Sequence, residues 1–229
     1  MKKIFLGIVL WWLMPFTGAL AQRDNINNWM QYTGTYRFSP SWSLSSTVQY
    51  RTYNAVSDLR TFFGGTEAQF NLQKAPVSLV GGFAYLVNRR YNAAEEKSYD
   101  HERRLYQQIS HRDDIGRVNV THRYQIEERW LDQEFHVRFR YSVALRIPFG
   151  PAEQERKPVY GILRNEIRVI VRDQPFDSNR ISGGLGFLLH KGVALEGTWM
   201  SQLGARNNHQ HFTMFVLRQE FGQRSSGGK

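Results

Sequence analysis

The feature that most narrows the fold lies between residues 134 and 149, where apolar and polar residues alternate without a break. Phe135, Val137, Phe139, Tyr141, Val143, Leu145, Ile147 and Phe149 share one parity. Glu134, His136, Arg138, Arg140, Ser142, Ala144 and Arg146 share the other. Successive side chains of a strand point to opposite faces, so this stretch reads as one β-strand with an apolar and a charged face. Its length matters as much as its pattern. Globular strands run to about 5 or 6 residues, whereas a strand that crosses a bilayer needs about 9 to 11.

The same period recurs along the chain. Val118, Val120, Tyr124 and Ile126 oppose Asn119, Thr121, Arg123, Gln125, Glu127 and Arg129, with His122 a blemish on the apolar face. Val159, Leu163, Ile167, Val169 and Val171 oppose Arg164, Glu166, Arg168 and Arg172. Weaker copies occupy about 29 to 38, 42 to 53, 61 to 72, 77 to 90, 102 to 111, 180 to 190, 193 to 202 and 211 to 221, which makes eleven candidate strands. Short links such as Ser39-Pro40-Ser41, Asp113-Asp114-Ile115-Gly116 and Lys191-Gly192 alternate with longer ones such as 54–60, 92–100 and 173–179. Short and long connections take turns in outer-membrane barrels, and only 150–158 breaks the rhythm. Gly64-Gly65, Gly81-Gly82 and Gly183-Gly184 fall inside strand-like runs, where glycine marks a bulge or bend and not a phosphate loop.

Residues 1–21 differ from the rest: Met1-Lys2-Lys3, an apolar run over 4–16, then Thr17-Gly18-Ala19-Leu20-Ala21. A basic start, a short hydrophobic stretch and an Ala-x-Ala end describe a secretory signal peptide, with cleavage before Gln22. The expected organisation is a signal peptide over 1–21 and one barrel domain over 22–229. Over the whole chain, a mean hydropathy of −0.51 with 22% charged residues excludes a bundle of membrane helices. The absence of cysteine excludes disulfides, thiolate metal sites and a Cys nucleophile.

A soluble sandwich also has one apolar face per strand, so other features separate it from a membrane barrel. Trp29, Trp42, Trp130 and Trp199 lie at or near strand ends, where a membrane barrel carries its aromatic girdles. The polar faces carry arginine interleaved with glutamate and few lysines, which suits a crowded lumen in which planar guanidinium groups meet carboxylates. The expectation is an all-β, antiparallel transmembrane barrel of about 10 to 12 strands in the bacterial outer membrane. Its partners are outer-membrane lipid and the barrel assembly machinery. Single-chain bacterial barrels have even strand numbers. One of the eleven runs is therefore expected to be missing, split or outside the barrel. With both chain ends in the periplasm, the first run, from Trp29, is the one expected to fall outside.

If residues 132 and 133 form a two-residue loop, Leu131 pairs with Glu134, which puts Glu127 opposite Arg138 and Gln125 opposite Arg140. Opposite charges paired in this way contribute about 0.2 to 1 kcal/mol.

The charged motifs carry a resemblance. Glu102-Arg103-Arg104 with Gln107-Gln108, His122-Arg123-Tyr124 with Glu127 and Arg129, Arg138-Phe139-Arg140-Tyr141, Asn165-Glu166, and Asn179-Arg180 followed by Gly183 resemble the domain of unknown function 2490 family. Its members are described as outer-membrane β-barrels. The resemblance covers most of the chain after residue 21 and implies a fold and a location, with no catalytic residues and no substrate. Membrane barrels commonly end on an aromatic residue read by the assembly machinery, whereas Phe221 here is followed by eight further residues.

Candidate chemistry is sparse. His209 and His211 share a face without a third ligand, so no metal is expected, and no cofactor either. Asp100-His101-Glu102 is the best protease-like cluster, and Ser110-His111 are the nearest Ser and His; adjacent strand residues point to opposite faces. These residues keep open an alternative, a barrel enzyme on lipid or peptide. The stronger clue is the polar face. It is expected to place Arg37, Arg51, Arg90, Arg104, Arg123, Arg129, Arg138, Arg140, Arg146, Arg164, Arg168, Arg180 and Arg218 in the lumen with Glu67, Glu102, Glu127, Glu166, Glu196 and Glu220. Such a lumen is either a salt-bridged structural plug or a narrow pore preferring a small anionic permeant. Without Lys2 and Lys3 of the expected signal peptide the formal charge falls from +10 to +8, and it belongs mostly to an interior, so nucleic acid is not an expected partner.

Overall fold

The structure is a computed structural model that describes residues 26–223, apart from positions 55, 93, 133, 151–157, 173–174 and 206–207. The expected signal peptide, residues 1–21, lies outside the described residues. Eleven strands follow in chain order: β1 (Ile26–Arg37), β2 (Trp42–Thr52), β3 (Leu59–Asn71), β4 (Val77–Tyr91), β5 (Lys97–Ile115), β6 (Val118–Leu131), β7 (Glu134–Pro148), β8 (Val159–Ile170), β9 (Phe176–His190), β10 (Val193–Gly204) and β11 (His209–Gly222). Each pairs antiparallel with the next, and β1 closes the barrel on β11.

That closing pair is parallel, running from Ile26↔His211 to Arg37↔Gly222. It corrects the expectation that an odd count leaves one run outside. The run containing Trp29 is a full barrel strand, hydrogen-bonded to β2 on one side and β11 on the other. With each strand antiparallel to its predecessor, an odd number makes the first and last run the same way. Residues 26 and 222 therefore lie at opposite ends of the barrel, here termed the amino end and the carboxy end, and not on one side as expected. Tight two-residue turns at 116–117 and 191–192 close hairpins at the carboxy end, each using a glycine at positive φ (Gly116, 60°; Gly192, 81°). The contrast between short and long links is weaker than expected, because β6 and β7 are joined by residues 132–133 alone at the amino end.

The alternation of each strand sorts its residues. Outside stand large exposed apolar side chains on every strand: Tyr32, Val48, Phe62, Phe83, Leu105, Ile126, Phe139, Leu163, Leu185, Leu195 and Phe215. His122, the blemish on this face, is accommodated there, since its Nδ1 lies 2.9 Å from the Tyr141 hydroxyl and the two rings stack. The inner face is mostly polar. One apolar cluster interrupts it, formed by Trp29, Met200, Phe212 and Met214 of β1, β10 and β11.

The paired glycines do not mark bulges as expected. Register shifts fall at Arg51/Thr52, Arg168/Val169 and Val193/Ala194 instead. The glycines make room. Tyr106 pairs with Gly82 and lies over it, so that a Cβ at 82 would stand 2.3 Å from the ring. Tyr160 covers Gly186 in the same way, at 2.2 Å. In both cases the phenol reaches across the glycine strand to a glutamate one strand further on, Glu67 at 2.9 Å and Glu196 at 3.0 Å.

Candidate functional site: the charged lumen

The register of β6 and β7 places Glu127 opposite Arg138 and Gln125 opposite Arg140, as the two-residue loop requires. From that pairing an ion-pair network extends sideways. Glu127, 1% exposed, accepts from Arg138 Nε at 2.7 Å, from Arg138 Nη2, from Arg140 Nη1 at 2.5 Å and from Gln125 Nε2 at 2.9 Å. Arg140 turns its other nitrogen to Glu166 of β8 at 2.7 Å, where Arg123 also donates at 3.2 Å and Arg180 Nη1 stands 3.6 Å from Oε1. One planar guanidinium thus joins two carboxylates, a geometry that an ammonium group cannot reproduce.

Toward the amino end the filling is denser. Arg129 clamps Glu102 with two bonds, 2.5 and 3.1 Å, and Arg104 Nε adds a third at 2.5 Å. Arg138 reaches Asp177 at 3.2 Å, Arg168 bonds Ser178 at 2.6 Å, and Arg168 and Arg180 share Gln202 Oε1 at 3.1 and 2.7 Å. Arg60 donates to Asn27 and Gln210 and lies over the Phe212 ring, which covers the apolar cluster. Of the charged residues expected in the lumen, eleven are expected to form its charge network, and all of them stand on its inner face: Glu102, Arg104, Arg123, Glu127, Arg129, Arg138, Arg140, Arg164, Glu166, Arg168 and Arg180. Ten of them are joined in ion pairs; Arg164 makes none with a described residue.

Toward the carboxy end the lumen opens into two cavities, of about 250 Å³ at mid-barrel and 660 Å³ beyond it. Arg123, Arg164 and Arg218 line both and mark the boundary. Arg218 pairs with Glu196 at 3.2 Å, and Arg146 lies over the Tyr160 ring at 3.7 Å. Arg37 and Glu220 pair at 3.5 Å, and Arg90 meets Asp100 at 2.7 Å at the opposite rim.

The aromatic girdle needs one correction. Trp42, Trp130 and Trp199 are exposed on the outer face, but Trp29 is 6% exposed and lines the mid-barrel cavity, with Arg51 stacked on its ring at 3.7 Å. It shares parity with Gln31, Thr33 and Arg37, so it turns inward with them. Sequence reasoning also missed Tyr106, Tyr160, Asp177 and Gln202. Parity could have found the tyrosines; Asp177 fell in a stretch read as a loop that is in fact the start of β9.

The enzyme-like candidates separate. Gln108 donates to Ser110 on the inner face at 2.9 Å, while His111 stands on the opposite face beside Asp113 at 3.2 Å. Asp100 and Glu102 point inward to arginines, and His101 points outward, stacked on Tyr85 with Nδ1 2.7 Å from its hydroxyl. His211 stacks on Trp199 outside the barrel. Among the described residues no group of three His, Asp or Glu could hold a metal.

These features define a closed, meandering β-barrel with an apolar exterior and an arginine-rich, ion-paired interior. The chain belongs to the family described as Protein of unknown function (DUF2490), whose model matches residues 26–213. No curated protein matches it. Among solved structures, the crystal structure of the beta domain of the Bordetella autotransporter Brka is similar, with 12% identity, a TM-score of 0.48, and coverage of 79% of this chain and 82% of that one.

Proposed function

We propose that this protein is exported by its signal peptide, residues 1–21, to the bacterial outer membrane. There it forms a barrel closed in its amino half by an ion-pair plug and open toward the carboxy end as a cation-lined cup. Lipid covers the apolar exterior, and the assembly machinery meets β11, where Phe221 is exposed on the outer face. The observation that carries the closed lumen is the continuity of the network from Glu127 on β6 through Arg140, Glu166 and Arg180 to Gln202 on β10, beside a separate cluster of Glu102, Arg104 and Arg129 on β5 and β6. Its central carboxylates are all 4% exposed or less. Planar-bilayer recordings test it: the barrel is expected to show no steady open-channel current, and a large ohmic conductance refutes the plug. Recovery from the soluble fraction, or a gel mobility that heating does not change, refutes the membrane location.

A second reading, a small anion-preferring pore, is favoured by the charge of the mid-barrel cavity. Seven arginines and three glutamates line it. Small current steps carried by anions would support this reading over the plug.

A further inference from the structure

Of the arginines that line the mid-barrel cavity, Arg51 and Arg164 make no ion pair with a described residue, and Arg51 also has an unpartnered nitrogen. The hydrogen bond of Arg51, on β2, is to Gln49 Oε1 at 2.5 Å. Its Nε is buried without a partner. Beside it Trp29 Nε1 is also buried without a partner, although a buried indole N–H normally finds an acceptor. Both residues line the same 250 Å³ cavity. The glutamates of that cavity are already engaged: Glu127 by Arg138 and Arg140, Glu166 by Arg123 and Arg140, Glu67 by Tyr106. The lining arginines outnumber the lining glutamates by four, of which Arg104 and Arg218 pair with Glu102 and Glu196 beyond the lining, and among the donors of lining residues Arg51 Nε and Trp29 Nε1 have no partner. Next to them stand Met200, Met214 and Phe63, which are apolar.

We infer that the mid-barrel cavity is a binding site for a small organic anion, a carboxylate with a compact apolar body. The carboxylate takes the donors of Arg51 and Trp29, and the body rests on Met200 and Met214. An inorganic oxyanion would leave the apolar wall unused, and a neutral apolar molecule would leave the arginines unmatched. At roughly 30 Å³ for each water, the cavity has room for about eight, below the 300 Å³ at which typical ligand pockets begin, so the occupant is about the size of benzoate. It enters from the carboxy end through the wider cavity, past Arg123, Arg164 and Arg218, which would draw an anion inward. The inference rests on the closed-lumen reading, because a cavity that ends at a plug retains an occupant that a through-channel would pass on.

The test titrates benzoate into the full-length protein folded in detergent, by calorimetry and by tryptophan emission, with acetate, inorganic phosphate and benzyl alcohol in parallel. Saturable binding of benzoate is expected, at least tenfold tighter than that of the other three. Arg51→Gln should weaken it at least tenfold, while Arg37→Gln, at the exposed rim, should leave it unchanged. Benzoate should alter the emission of the wild type and not that of Trp29→Phe, a readout that stands even if Arg51→Gln fails to fold. The inference is overturned by the absence of saturable binding, by acetate or phosphate binding as tightly as benzoate, or by an unchanged emission response in Trp29→Phe. Bilayer recordings separate the two readings. Steady conductance with benzoate binding intact removes the plug alone, and a non-conducting barrel that ignores benzoate removes the site alone.

Discussion

Glu127→Ala tests whether the lumen network holds the barrel together. Removing one member of a buried ion pair costs about 3 to 5 kcal/mol, because the partner charge stays buried without compensation. Two arginines are involved here, which would argue for the top of that range. Each keeps another carboxylate, however: Arg138 has Asp177 at 3.2 Å and Arg140 has Glu166 at 2.7 Å. The lower limit, about 3 kcal/mol, is therefore the better figure. With a urea dependence of about 2 kcal/mol per molar, the unfolding midpoint should fall by about 1.5 M. The assay is urea unfolding in detergent followed by tryptophan emission and heat-modifiable mobility. Glu220→Ala is the control, since the Glu220 side chain is 59% exposed and rim pairs of this kind contribute about 0 to 1 kcal/mol. Equal midpoints for the two variants would refute the reasoning. Glu127→Lys should destabilise further, and adding Arg138→Glu should restore only part of the loss. Arg140, which donates to Glu127 at 2.5 Å, would still face a lysine there.

Two further outcomes follow from side-chain placement. Gly82→Ala should cost about 1 to 3 kcal/mol by displacing the Tyr106 ring, whereas Gly81→Ala, with open space where its Cβ would go, should cost far less; urea midpoints that do not differ would remove the packing argument. In bilayers of brominated lipid, Trp42, Trp130 and Trp199 should be quenched and Trp29 should not, so Trp29→Phe should abolish the residual unquenched emission.

The barrel was legible because the chain repeats one instruction, the alternation of faces, over strands long enough to average out exceptions. The pairing of Glu127 with Arg138 followed from a loop length and the period of two. The errors have separate causes. Trp29 was judged by its nearness to a strand end, where girdle residues sit, although its parity with Arg37 already turned it inward. The ends of β5 were missed because Lys97, Ser98, Asp100, Arg112, Asp113 and Asp114 give no apolar alternation. Strand-ending residues outside a hydrophobic layer have no reason to carry one. The cavity around Arg51 was not legible at all. Whether an arginine finds a carboxylate depends on which strands face each other across the lumen, and local sequence does not encode that distance.

The parallel seam between β1 and β11 sets a limit on how this chain can be rearranged. In an even barrel the two ends emerge side by side, and a turn of a few residues can splice them into a circular permutant. Here the 12 residues of β1, at about 3.3 Å each, hold Ile26 and Gly222 roughly 40 Å apart at opposite mouths. A splice would have to thread the occupied lumen or run down the outer wall. The seam is also the last contact the chain can make. Tyr32 donates to Gln219 across it, a bond between residues 187 positions apart, which cannot form until nearly the whole sequence is available. Closure of this cylinder is therefore a test of completeness: a chain truncated before β11 has ten strands and lacks the parallel partner that β1 has on its second edge.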